Sequence, residues 1–423
     1  MAKAKNVVNF IRSETDLFSE PGYDLTLSSS NRVDYHPITN IQDRSTPLTF
    51  IIQGNDLQYI DFSETQLYIR CKIVDSKGAG ETSANIAPVN NFLHSMIHQV
   101  TILLNDVQIT PPSTLYPYKA FMETFLSFGK DYTKTQAQAA LYSKEIEPTT
   151  DDAGWISRES LSHNSKVFEM CEKLRCDIFN QNRHLIPGVD VKIVLNRSPD
   201  NFCLLGKTPT AGSTLDQAQV HIVEAKLVVQ KHTLFPSITL THLKLLDKGQ
   251  PACYPMRRGD IKSFSLSAGT LQYTNESLIT CLLPDRLAIG IVSSKAVHGN
   301  YLENRFNFMQ ADISSISVTV NSEQVTSQTF ELDFNNKKSI EAYFSVFSGL
   351  GLSNIDAGLD LTFEVFQNGK TIYIFDLRHQ HDGFAIPRHG SVKIEIKLRQ
   401  AITSALTVIC HCDYQSVLYI DKN

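Results

Sequence analysis

A basic excess is the first thing this sequence lacks. Its 39 lysines and arginines stand against 44 aspartates and glutamates, a formal charge of −5. A protein that neutralises DNA along its contour carries the opposite balance, so no specific nucleic-acid site is expected. No run of eighteen apolar residues occurs, which argues against a helical membrane span. The opening MAKAKNVVNFIRSETD has no apolar core of signal-peptide length, so synthesis without secretion, in a reducing compartment, is expected. Cysteine is sparse: the eight at 71, 171, 176, 203, 253, 281, 410 and 412 are read as mostly buried thiols and not as a disulfide framework. The sequons at Asn196 and Asn275 are then chance matches. Tryptophan occurs once, at Trp155, and is read as a local packing anchor.

Complete chemical signatures are missing as well. There is no G-x-S-x-G elbow for a serine hydrolase, and no carboxylate pair stands out. Leu205-Gly206-Lys207-Thr208 ends like a phosphate-binding loop, but Asn201 occupies the first glycine position and no helical pattern follows. His94 and His98 are one helical turn apart, yet Ser95 stands where a zincin needs glutamate, so they are read as polar members of an amphipathic turn. His379, His381 and Asp382 have a spacing compatible with a metal and are read as a polar loop. Cys410 and Cys412 flank His411 in a strand pattern, which puts both thiols on one face and the imidazole on the other, with core packing as the favoured account. The expectation is therefore no enzyme: no catalytic residue, no cofactor and no metal.

What is present is a packing module. In NNFLHSMIHQVTILLNDVQITPPSTLYPYKAFMETFLSFG, residues 91–129, an amphipathic turn carries Phe92, Leu93, Met96 and Ile97. A hairpin follows, with strands at 100–104 and 107–109 around Asn105-Asp106, two residues that tolerate left-handed backbone. Pro111 and Pro112 end it. Pro117 then suits a first helical turn, and Tyr118, Phe121, Met122 and Phe125 repeat at helical spacing, with Gly129 as a left-handed stop. Burial of this stripe predicts a cost of about 3–5 kcal/mol for Phe125→Ala.

The module occurs twice. Residues 316–326 (ISVTVNSEQVT) align without a gap on 100–110 (VTILLNDVQIT), with Asn321 on Asn105. A second aromatic helix is predicted at 340–351, where Ala342, Tyr343 and Phe347 echo Ala120, Phe121 and Phe125. Truncation of Phe347 is expected to cost as much as that of Phe125. Asp177-Ile178, Ile186-Pro187 and Val191-Lys192-Ile193 recur as Asp376-Leu377, Ile386-Pro387 and Val392-Lys393-Ile394. Three blocks in one order, shifted by about a domain length, mean two copies of one fold in tandem rather than a short-period solenoid.

The stretch 91–129, with Val33-Asp34-Tyr35-His36-Pro37-Ile38, Tyr59-Ile60-Asp61-Phe62 and Leu67-Tyr68-Ile69-Arg70, resembles the major capsid protein of Polinton (Maverick) elements and adintoviruses. The likeness is densest from about residue 16 to 129. It implies an all-β double jelly-roll, similar in architecture to adenovirus hexon, made of two tandem eight-stranded sandwiches with a few short helices in loops. It also implies a homotrimeric, pseudo-hexameric capsomer of an icosahedral shell around double-stranded DNA, located in the virion. Its partners would be itself, neighbouring capsomers and a penton-type minor capsid protein. The alternative from another class is a tandem β-sandwich that binds or hydrolyses carbohydrate.

The length of 423 residues suits two domains of roughly 200 residues. The expected division is an N-terminal arm at 1–40, a first jelly roll at 41–235 and a second at 236–423. Residues 67–74 alternate as a clear strand, and 76–87 read as a Gly/Ala/Ser-rich loop. Residues 133–166 read as a long exposed loop, with 206–213 a shorter one and 235–251 a packed connection. Further strands are expected at 189–195, 220–230, 261–266, 287–292, 313–320, 329–334, 359–366, 371–376, 392–398 and 406–414, with Asn368-Gly369 as a hairpin turn. Loops at 133–166 and 290–304 are expected to make assembly contacts.

Overall fold

The computed structural model describes residues 24–54, 57–75, 85–147, 149–208, 217–321, 323–324, 329–336, 338–355, 358–378 and 387–422. Beside a separate short pair, Ile86–Pro88 with Leu204–Gly206, the sandwich strands of the first half are β1 (Leu27–Tyr35), β2 (Leu48–Ile52), β3 (Tyr59–Asp75), β4 (Ile97–Leu104), β5 (Val107–Gln108), β6 (Phe168–Glu172), β7 (Val191–Arg197) and β8 (Ala218–Leu234). They form two antiparallel sheets, β1-β8-β3-β6 and β2-β7-β4-β5. Successive strands thus tend to cross from one sheet to the other, which is jelly-roll winding. Burial alternates along β3, where Leu67, Ile69, Cys71 and Ile73 are buried and Tyr68, Arg70 and Lys72 are half-buried.

The second half repeats the order. Its strands are β9 (Ala252–Leu266), β10 (Gln272–Leu282), β11 (Arg286–Ser293), β12 (Ile313–Val320), β13 (Glu323–Gln324), β14 (Ile372–Asp376), β15 (His389–Leu398) and β16 (Leu406–Ile420). The sheets are β9-β16-β11-β14 and β10-β15-β12-β13, the same permutation shifted by eight strands. The chain is therefore an all-β double jelly roll with few helices. Among the described residues no helix is long and apolar enough to cross a membrane.

The repeat read from the sequence has a structural counterpart in the β4–β5 and β12–β13 turns. Asn105 and Asp106 have φ of 46° and 63°, and Asn321 has φ 50°. Each asparagine locks its turn to the strand that pairs next to it. The Asn105 carboxamide oxygen accepts from the Asp190 N–H at 2.8 Å, and its own N–H donates to the Asp190 carbonyl at 2.9 Å. Asn321 does the same with Ser391, at 3.0 Å in both directions. Gly390 leaves the space for this: a Cβ there would lie 2.1 Å from the Asn321 side-chain oxygen. The corresponding ladder positions also match, with Leu104 opposite Val191 and Val320 opposite Val392.

Several expectations need correction. Residues 27–35, placed in an arm, form strand β1, which pairs with β8 through its backbone while its side chains stay mostly exposed. An edge strand with so little apolar content leaves no hydrophobic period to read. Residues 1–23 lie outside the described residues. The 133–166 stretch is folded: it contains helices Lys130–Lys134 and Gln136–Ala140 and helix α2 (Ala153–Ser162). Trp155 is buried there and donates to the Leu205 carbonyl at 3.1 Å, the anchoring role expected of it. Residues 290–293 belong to β11 and not to a loop.

The 359–366 strand is instead helix α5 (Phe363–Gln367), whose N-terminus is capped by the Thr362 hydroxyl accepting from the Val365 N–H at 3.3 Å. A local cap overrides the β-propensity of Phe and Val here. Asn368-Gly369 accordingly closes a helix, with Gly369 at φ 113°, and makes no hairpin. The 329–334 strand shrinks to Phe330–Glu331, while β10 goes unpredicted because its polar residues hide the pattern. Residues 76–84, 209–216 and 379–386 lie outside the described residues.

Strand β8 leads into helix α3 (Pro236–Asp247), which precedes β9. Replacing Asn105 by alanine removes the side-chain bond to Asp190 and, with it, the short polar group that lets asparagine tolerate left-handed backbone. The expected loss is about 1–2 kcal/mol, read by chemical denaturation.

Candidate functional site at the junction of the two sandwiches

The two halves meet around helix α1 (Tyr116–Ser127). Pro117 sits in its first turn, as its lack of an N–H permits. Tyr118, Phe121 and Met122 are almost fully buried, and Phe125 is 6% exposed. The helix ends at extended Phe128, so Gly129 is not a left-handed stop. A Cβ on Gly129 would lie 2.6 Å from the Gly358 carbonyl oxygen, so glycine serves close approach to the second half instead.

The apolar stripe of α1 faces the other sandwich. Phe121 stacks on Phe306 with centroids 4.2 Å apart and planes 5° from parallel, and meets Phe308 at 5.9 Å. Tyr118 meets Phe306 edge-on at 5.7 Å. Phe308 in turn lies over Gly290 of β11, where a Cβ would be only 2.4 Å from the ring. Lys370 caps the stack, its ammonium 5.0 Å from the Phe121 centroid and donating to the Phe306 carbonyl at 2.7 Å. Aromatic stacking and the cation–π contact add to the area buried.

Beside the aromatics lies a buried ionic network. Lys119 reaches Asp177 at 2.6 Å and Glu123 at 3.6 Å. Glu123 faces His411 of β16 at 3.5 Å, and His411 also faces Asp413 at 3.5 Å. The Asp177 carboxylate accepts from the Gly259 N–H of β9 at 3.1 Å. Gly259 is required by proximity, because a Cβ would lie 2.8 Å from Glu123 and 2.9 Å from Lys119. Burial works against the His411 cation, but Asp413 and Glu123 outweigh it and hold the imidazole above its ordinary value. Burial likewise raises the Glu123 carboxyl, and Lys119 and His411 more than reverse this.

His94 does not join His98. It is fully buried, in contact with the Tyr116 hydroxyl and the Glu172 carboxylate at 2.9 Å each. Tyr116 also accepts from the Arg175 N–H at 3.0 Å, so its hydroxyl proton is free to donate to the His94 Nδ1. His98 sits on β4 and contacts the Arg197 carbonyl at 2.8 Å. Glu172 further accepts from Tyr132 at 2.5 Å and pairs with Arg175. Burial would raise the Glu172 carboxyl, yet His94, Arg175 and Tyr132 bring it down to about 2.

The folded 133–166 segment forms a third tie. Glu145 is buried between Arg158 at 2.7 Å and, from the second half, Asn304 at 3.1 Å and Lys370 at 3.7 Å. Lys144 and Thr133 both bind Asp360. Arg305 is fully buried, with no carboxylate partner among the described residues, donating to the Glu303 and Asn201 carbonyls, and burial lowers its guanidinium to about 10. A cleft of about 610 Å³ opens beside α1, lined by Met122, Arg175, Arg257, Arg286 and His411 among others.

Other sequence candidates do not assemble into chemistry. Lys207 follows a short strand, Leu204–Gly206, and is paired with Asp151 at 2.6 Å. Cys410 and Cys412 are buried in the sandwich as expected, but the opposite face, with His411, is buried too, against α1. His379, His381 and Asp382 lie outside the described residues. One cluster was missed altogether: Asp61, His184 and His232 converge although they are far apart in sequence. No spacing rule could have joined them.

Two jelly rolls that share a core of aromatic and buried ionic contacts define a double jelly-roll protein. No family profile matches the sequence. The uncharacterized protein F54H12.2 of Caenorhabditis elegans is 23% identical over 395 residues, covering 89% of this chain and 91% of that relative. Among solved structures, a chain of the Sputnik virophage seen by cryo-electron microscopy matches at TM-score 0.67 with 11% identity, over 99% of this chain and 92% of its own. The Faustovirus major capsid protein matches at 0.60 with 8% identity, over 96% and 93%. The mavirus major capsid protein matches at 0.53 with 12% identity, over 99% and 93%. What these share with the chain is the double jelly-roll fold.

Phe125→Ala is expected to cost about 3–5 kcal/mol in chemical denaturation. Phe347, on helix α4 (Ile340–Leu350), is only half-buried, so its truncation is now expected to cost about 1–2 kcal/mol, not as much as Phe125. A pH series tests the ionic network. The Glu172 pKa is depressed on folding, so its contribution is complete above about 4.5 and is lost as pH falls toward 2, about 3 kcal/mol in all. Glu172→Gln should lower the melting temperature at pH 7 and flatten its fall between those pH values.

Proposed function

We propose that the chain is a major capsid protein of the Polinton and adintovirus type, a structural protein and not an enzyme. The observation that carries this reading is the junction: α1, part of the first sandwich, packs against Phe306, Phe308 and His411 of the second. A shell-forming subunit needs its two domains held at one angle, since an error in that angle would spread through every contact in the lattice. The fold shared with the Faustovirus and mavirus capsid proteins supports the capsid role. A relative in Caenorhabditis elegans, an animal, supports an element resident in a host genome.

The assembly follows from the duplication. Three copies of a two-domain chain present six similar sandwiches, so a homotrimer fills a hexagonal position in an icosahedral shell around double-stranded DNA. A cyclic trimer needs a heterologous interface, in which unlike patches meet and the ring closes. The two diverged halves supply unlike faces. In this reading the first jelly roll spans residues 41–235 and the second 236–423, with the 1–40 segment as an arm whose β1 portion is docked on the first sandwich. A penton-type minor protein would fill the fivefold positions. The formal charge of −5 leaves DNA condensation to other components.

Light scattering on the purified protein is expected to give three times the chain mass, and negative-stain images hexagonal outlines. A monomer or dimer at micromolar concentration, unchanged on raising protein or salt, overturns the trimer.

A further inference from the structure

We propose that Asp61, His184 and His232 form a binding site for a divalent transition-metal ion of the zinc class. The three donors come from adjacent backbones held in register. Ile60 and Leu185 exchange both backbone hydrogen bonds, at 2.7 and 3.2 Å, which puts His184 directly opposite Asp61. Gln230 pairs with Asp61 on the other side, so His232 is its diagonal neighbour on the same face. The Asp61 Oδ2 lies 3.4 Å from the His232 Nε2 and 3.6 Å from the His184 Nδ1. All three donor atoms are within 4.8 Å of one another. Metal–donor bonds near 2.1 Å in a tetrahedron set donor–donor edges of about 3.4 Å, close to the two measured separations.

On Asp61 and His232 the outer polar atoms are already bonded elsewhere, while the inner pair, Asp61 Oδ2 and His232 Nε2, face each other at 3.4 Å and would exchange that contact for the ion. The Asp61 Oδ1 accepts from the Ser63 N–H at 2.8 Å and the Ser63 hydroxyl at 2.6 Å. The His232 Nδ1 is bonded to the Ser30 hydroxyl at 2.7 Å, the outer contact that orients a ligating imidazole. The His184 Nδ1 is buried and has no hydrogen-bond partner. Asp61 and His232 are both 8% exposed, whereas His184 borders a cleft of about 430 Å³ beneath α3, which gives an ion a way in. Two imidazoles and one carboxylate suit zinc, cobalt or nickel rather than calcium or magnesium. Three protein donors leave a fourth position for water. Bound there, the ion would tie β3, β8 and the segment before β7 together at one end of the first sandwich.

The test uses the full chain, stripped with chelator and titrated with Co²⁺ and then Zn²⁺. One equivalent of Co²⁺ is expected to give the visible d–d bands of a low-coordinate site, displaced by Zn²⁺, and Zn²⁺ in excess to raise the melting temperature by about 2–5 °C. His184→Ala, at a half-exposed position that should fold normally, is expected to abolish both effects, and Asp61→Asn to do the same. His98→Ala, a histidine outside the cluster, should keep them. Absence of a stoichiometric Co²⁺ signal in the parent chain, or its survival in His184→Ala, overturns the site. The readout is independent of oligomeric state, so it stands or falls apart from the capsid reading.

Discussion

The stack of Phe121 on Phe306 is the contact on which the rest of this molecule depends. Each sandwich can bury its own inner faces, but the aromatic stripe of α1 needs Phe306 and Phe308 of the second half. His411, on the outer side of β16, needs Glu123 of α1. Helix α1 is covalently part of the first half, yet its apolar face meets Phe306 and Phe308 of the second, and Phe308 fills the space that Gly290 leaves open. The two halves therefore share a core at this point. Separating them would expose several aromatic side chains, each worth kilocalories of burial.

The charges packed beside this stack decide how the halves meet more than how tightly. Burying Lys119, Glu123, Asp177 and His411 is costly, and a well-packed apolar substitute could match their net stability. Each group finds its partner in only one arrangement: Asp177 needs the Gly259 N–H, and Glu123 needs His411. A slip of β9 or β16 by one residue would leave uncompensated charge in the interior. Buried ion pairs thus supply specificity of angle and register. Glu145, held by Arg158, Asn304 and Lys370, repeats this logic on the other side of the stack.

Much of the architecture could be read from local pattern. The Asn105 and Asn321 turns, the gapless alignment of β4 on β12 and the period-two β3 all rest on short-range rules of backbone sterics and alternation. Those rules failed where an element is held by something non-local. Strand β1 has almost no buried side chains and exists because β8 offers it a ladder. The 133–166 segment looks like a polar loop because its buried residues include Glu145 and Arg158, whose partners lie elsewhere in the chain. The Asp61, His184 and His232 cluster is the extreme case, since only sheet register brings its members together.

The sequence by itself determined that the chain is two copies of one β-sandwich, because hydrophobic alternation and turn chemistry are encoded within a few residues. It also determined that α1 has a buried aromatic face, because helical periodicity is local. What covers that face was decided only by tertiary structure, as were the pairing of His411 with Glu123, the burial of both sides of β16 and the convergence of three metal-type donors. The reason is physical: a periodic pattern says that a side chain must leave water, but the partner that receives it is chosen by chain topology over hundreds of residues.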